Sequence, residues 1–66
     1  MNQEITQLLA DFVLTAKEDS YNLDETITKF PELQEVDMQL LADFVLTARE
    51  DGFDLDETLP KFPEIT

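Results

Sequence analysis

Sixteen carboxylates against four basic side chains make acid chemistry the first thing to weigh in this 66-residue chain. The densest group is Asp51, Asp54, Asp56 and Glu57, within the run EDGFDLDE. Neighbouring carboxylates can divide into a general acid and a general base when a pocket pushes their pKa values apart. A fold of this size has little room for such a pocket. Carboxylates before a glycine can also bind calcium, but an EF-hand loop needs oxygen ligands at alternate positions, and here those positions hold Thr47, Arg49 and Asp51. The calcium pattern fails. Histidine and cysteine are both absent, so the common zinc, haem and thiol sites have no ligands, and Ser20 has no imidazole base. Gly52 is the only glycine, which excludes a glycine-rich phosphate loop. The expectation is a protein with no catalytic residues, no cofactor and no metal.

Helix capping explains the same acids more simply. Asn22-Leu-Asp-Glu25 and Asp54-Leu-Asp-Glu57 both carry a side-chain acceptor followed three residues later by glutamate, the capping-box spacing. Each would open a short helix whose dipole favours nearby negative charge. Lys29-Phe-Pro31 and Lys61-Phe-Pro63 then stop it, because the residue before proline avoids helical geometry. Pro60 intrudes on the second short helix, which should be shorter or kinked. Phe30 and Phe62 are expected to fold back as core plugs.

A long helix precedes each short one. Ile5, Leu8, Leu9, Phe12, Val13 and Ala16 follow helical spacing, and Val36, Leu40, Leu41, Phe44, Val45 and Ala48 repeat the stripe. Asn2 is the expected first cap. The second long helix has two readings: a run from about Pro31 to Asp51, or a shorter helix capped by Asp37. Gly52 suits the left-handed residue that closes a helix, with Phe53 placed to fold back on the last turn. Ser20 holds the glycine position in the first unit, where a side chain is costly, so that turn is expected to be looser or differently shaped.

The two units are nearly one sequence. Residues 7–33 and 39–65 share 20 identities in 27 positions. Helical solenoids need about three or more units, so a closed pair is expected: an all-α small helical bundle of two tandem helix-turn-helix repeats, each a long helix and a short helix, related by a pseudo-two-fold. The repeats span about 5–33 and 37–65 of a single domain covering residues 1–66.

A net charge of −12 repels phosphate backbones and anionic lipid while attracting basic partners. No direct nucleic-acid binding and no membrane association are expected. The N-terminal MNQEITQ lacks the pattern of a signal peptide, and no apolar run approaches a membrane span. A cytoplasmic protein is expected. The apolar content of 42% suits a folded domain rather than an acidic disordered tail.

Two residues stand off the apolar stripe. At about 100° per residue, Leu14 falls opposite the face centred near Phe12 and Ala16, and Leu46 holds the same place in the second unit. Their helical neighbours are Ala10, Asp11, Lys17 and Glu18, and correspondingly Ala42, Asp43, Arg49 and Glu50. Either these leucines are buried because each long helix is sandwiched within the chain, or they are single exposed leucines with no role, or they are apolar spots in acidic rims that bind a partner. Leu14, Leu46, Asp11, Asp43, Glu18 and Glu50 are therefore the candidate partner-binding residues.

The runs TAKEDSYNLDET and TAREDGFDLDET resemble the helix-turn-helix hook of small bacterial antagonists of the SinI type, and the corresponding stretch of Nif11-type leader peptides. The shared feature is a helix ending in Ala-Lys/Arg-Glu, a turn, an apolar residue and a capped acidic start, about a dozen residues in each unit. Here the hook is duplicated. Two functional expectations follow from the residues. One is a small acidic interaction module, such as an inhibitor or antagonist of a basic, nucleic-acid-binding protein. The other is a structural or engineered duplicated helical protein, monomeric or a homodimer, whose repetition serves the fold alone.

Overall fold

The first apolar stripe becomes α1 (Gln3–Glu18) in a computed structural model that describes residues 3–65. Leu9, Phe12, Val13 and Ala16 recur at intervals of three and four, share one face and are buried there. The cap expected at Asn2 lies outside the described residues. The chain continues through α2 (Leu23–Ile27), a 3-10 turn (Pro31–Leu33), α3 (Met38–Glu50), α4 (Leu55–Thr58) and a second 3-10 turn (Leu59–Lys61). Among the described residues there is no strand, and the fold is all-helical.

α3 takes the shorter of its two expected forms. Asp37 caps it, accepting a hydrogen bond from the Gln39 N–H at 2.9 Å. Pro31 starts only a separate 3-10 turn, in which Leu33 is buried. Val36 therefore precedes α3 and packs half-buried against the core from the connection.

Both long helices close with the same turn. The Tyr21 N–H donates to the Ala16 carbonyl at 2.7 Å and the Ser20 N–H to that of Lys17 at 3.2 Å. Phe53 and Gly52 make the matching bonds to Ala48 at 2.7 Å and Arg49 at 3.1 Å. This pair of bonds is the Schellman closure, and it satisfies carbonyls that the helix end leaves open. Ser20 and Tyr21 have φ of 56° and 64°, against 66° and 65° for Gly52 and Phe53. The first turn thus has the same shape and the same hydrogen bonds as the second, contrary to the expectation of a different shape. Two well-placed hydrogen bonds hold Ser20 in a conformation that costs a non-glycine residue about 1–2 kcal/mol.

The short helices start from the expected caps. Asn22 Oδ1 accepts from the Glu25 N–H at 3.2 Å and Asp54 Oδ1 from the Glu57 N–H at 3.4 Å. The return half of the capping box does not form, because the Asn22 and Asp54 N–H groups donate to the Asp19 and Asp51 carbonyls instead. Glu25 and Glu57 are left facing Lys29 and Lys61, one turn on, at 3.9 Å. α4 is one residue shorter than α2 and passes directly into the 3-10 turn containing Pro60. Proline lacks the N–H that an α-helix needs there, which accounts for the change.

Phe30 and Phe62 plug the core as expected. Phe30 meets Phe12 edge-on at a centroid distance of 5.4 Å, and Phe62 meets Phe44 at 5.2 Å. Such edge-to-face pairs add about 0.5–1.5 kcal/mol beyond their burial. Leu9, Leu33, Leu41, Val13, Val45, Ala16, Ala48 and Leu59 complete one continuous cluster. The radius of gyration is 10.6 Å. A folded chain of this length is expected at about 10.8 Å.

Candidate interaction surface

Core burial leaves the opposite sides of α1 and α3 facing outward. Leu14 is 53% exposed and Leu46 51%, and these are the large apolar side chains left exposed among the described residues. Neither long helix is sandwiched at that face, so the buried reading of the two leucines is overturned. On α1, Asp11 lies one turn before Leu14 and Glu18 one turn after; on α3, Asp43 and Glu50 hold the same places about Leu46. All four carboxylates are exposed. Gln7 and Gln39 each donate an amide hydrogen bond, to Asp11 at 3.0 Å and Asp43 at 3.1 Å, which fixes these carboxylates without neutralising them.

The four basic side chains of the protein each have a partner other than these carboxylates. Lys17 extends from α1 over the ring of Phe53, with Nζ 4.6 Å from its centroid, and the Arg49 guanidinium lies 4.8 Å from the centroid of Tyr21. These contacts join the two sequence units and draw Lys17 and Arg49, one turn after each exposed leucine, toward the other unit. Lys29 bonds both carboxylate oxygens of Asp19 at 3.0 Å, and Lys61 those of Asp51 at 3.1 Å. Among the described residues no ion pair reaches Asp11, Glu18, Asp43 or Glu50. Glu18 acts on Lys29 only at longer range. Each leucine therefore sits between two exposed carboxylates that make no ion pair among the described residues.

Sequence reasoning missed the polar clusters that anchor the short helices. The buried Thr26 hydroxyl lies 2.8 Å from Asp19 Oδ2 and 2.9 Å from the Asn22 carbonyl; Thr58 stands at 2.7 Å from Asp51 and 3.1 Å from Asp54. The side chains of Asp19 and Asp51 are only 10% exposed. The threonine hydroxyl, followed by the lysine, holds both carboxyls below the ordinary aspartate range. The Asp19 carboxylate in turn raises the Lys29 ammonium above its ordinary value. A signal was present in the sequence: Asp, then Thr seven residues on and Lys ten residues on, in both units.

These clusters tie the start of each short helix to the end of the long helix before it. Every polar atom in them is paired, no pocket opens on the described residues, and no group of three acidic side chains among them is arranged to hold a metal. No described helix is long and apolar enough to cross a membrane. Comparison with protein-family models, curated proteins and solved structures finds no match to this chain.

Proposed function

We propose that this protein is a small acidic interaction module that docks on a basic protein through Leu14 and Leu46, acting as an inhibitor or antagonist of a nucleic-acid-binding surface. The observation that carries this reading is that each exposed leucine lies between two exposed carboxylates without an ion pair, while the basic side chains are engaged with aromatic rings or with Asp19 and Asp51. An exposed leucine alone needs no explanation, but one set between two unpaired carboxylates matches an apolar residue flanked by cations. With a net charge of −12, steering favours a cationic surface, such as one that would otherwise bind phosphate. A second copy is a poorer occupant, because docking leucine on leucine would bring the acidic rims together. The cytoplasm is the compartment this reading expects.

The reading includes a closed pair of repeats about a pseudo-two-fold. Its support is reciprocity: Lys17 stacks on Phe53 as Arg49 stacks on Tyr21, and the Phe12 and Phe44 pairs, caps and Asp-Thr-Lys clusters occur once in each unit. The duplication then displays the same spot twice.

Affinity capture from a bacterial lysate tests the reading, with the parent chain beside the Leu14→Ser/Leu46→Ser variant, which keeps every charge. The expected result is a basic protein retained by the parent at low salt, released as salt rises, and lost to the variant. Capture that is indifferent to both salt and the leucines would overturn it.

A further inference from the structure

Resting on the docking reading above, we infer that the chain is bivalent: the Leu14 and Leu46 spots are equivalent, independent sites, each of which takes one basic amphipathic helix of the partner. Equivalence follows from the surroundings. The leucines differ by only two percentage points in exposure. Each has an alanine one turn before it, a glutamine-fixed aspartate three residues before it and a glutamate four residues after it. Beside each, the neighbouring cation is held on an aromatic ring of the opposite unit, at 4.6 Å and 4.8 Å. The substitutions nearest the spots, Lys17 for Arg49 and Tyr21 for Phe53, preserve that contact. Two sites built from the same side chains in the same arrangement bind the same ligand with nearly the same affinity.

The helix preference comes from spacing. Asp11 and Glu18 lie about 4.5 and 6 Å along the axis on either side of Leu14, so apolar and acidic groups alternate over two turns. A partner helix with leucine or isoleucine at its centre and arginine or lysine one turn to each side has the complementary pattern, apolar against apolar and cation against carboxylate. Charge complementarity selects this occupant over a second copy of the chain and over a membrane or nucleic acid, both of which repel it. Each spot contains its own leucine and its own two carboxylates, so filling one leaves the other complete.

The test uses the full chain and a synthetic helical peptide with a single leucine stripe and arginines at i−3 and i+4 from its central leucine. Titration calorimetry at low ionic strength should give two peptides per chain with one affinity. Leu14→Ser and Leu46→Ser, each checked for retained helicity by circular dichroism, should each leave one peptide per chain at the parent affinity. The double variant should bind roughly tenfold or more weakly. If one single variant abolishes all binding while the other is silent, bivalence is overturned and the docking reading stands. If the double variant binds like the parent, or the peptide does not bind at all, both are overturned.

Discussion

Lys17 lies over the ring of Phe53, and Arg49 returns the contact by lying over Tyr21, so each long helix lends its last-turn cation to the turn of the other unit. The exchange ties the units together where the long helices end. A double-mutant cycle on Lys17→Met and Phe53→Leu, followed by urea denaturation, should give a coupling of about 0.5–1 kcal/mol. Arg49→Met with Tyr21→Leu should give a similar value. Zero coupling in both cycles would show that the stacking contributes nothing to joining the units.

The two helix-closing turns share one backbone but differ in residue, which separates conformational strain from contact. Nothing lies within 4 Å of a Cβ added at Gly52, so Gly52→Ala meets only the cost of φ at 66°, about 1 kcal/mol of destabilisation. Ser20→Gly, at φ of 56°, should stabilise by a comparable or smaller amount, offset by the greater freedom of glycine in the unfolded chain. Denaturant midpoints of the two variants, measured beside the parent, check both signs.

Acid sensitivity should originate at Asp19 and Asp51. Their folded pKa values lie below the ordinary 3.8, because first the threonine hydroxyl and then the lysine favour the ionised form. The unfolded chain therefore takes up protons first, and this stabilisation, complete above the ordinary value, is lost as pH falls through the depressed folded one. Lys29 has the opposite sign: its raised folded pKa makes a contribution present below 10.5 and lost as pH rises past the folded value. The Asp19→Asn/Asp51→Asn variant should melt lower at neutral pH and lose less between neutrality and pH of about 3. The variant leaves every other carboxylate in place, so the difference isolates these two. Equal acid limbs would remove the clusters from the explanation.

Core truncation should be equally damaging in either unit. Phe12 and Phe44 are fully buried and each packs edge-on against one other ring. Phe12→Ala and Phe44→Ala should each cost about 3–5 kcal/mol. A chain of this size has only about 3–10 kcal/mol in total. Loss of the cooperative thermal transition in both variants is the expected result, read by circular dichroism. Phe30→Leu and Phe62→Leu, milder changes that retain apolar volume, should lower the midpoint while keeping the transition.

Much of the local structure was legible in particular residues. Asn22 and Asp54 marked the starts of the short helices, and Pro60 marked where the second departs from α geometry, because caps and prolines act on the backbone within a turn. Leu14 and Leu46 were found by helical angle, which depends only on position along α1 and α3. The Asp19-Thr26-Lys29 cluster was not found, because a capping reading accounts for acids near a helix start and gives no reason to join an aspartate to residues seven and ten positions later. The form of the turn at Ser20 was misread for a similar reason: side-chain preference disfavours that conformation, and the hydrogen bonds that enforce it are seen only in the folded chain.

The sequence by itself determined the helical class, the duplicated unit, the apolar stripes and the acidic excess, since these follow from composition and from periodicity within each segment. Only the tertiary structure decided that Leu14 and Leu46 are exposed, because burial depends on what the rest of the chain places against a face. It also decided that the cation beside each leucine is held on an aromatic ring of the other unit. That choice lies between partners distant in the chain, Phe53 for Lys17 and Tyr21 for Arg49, and spacing along one helix carries no information about it.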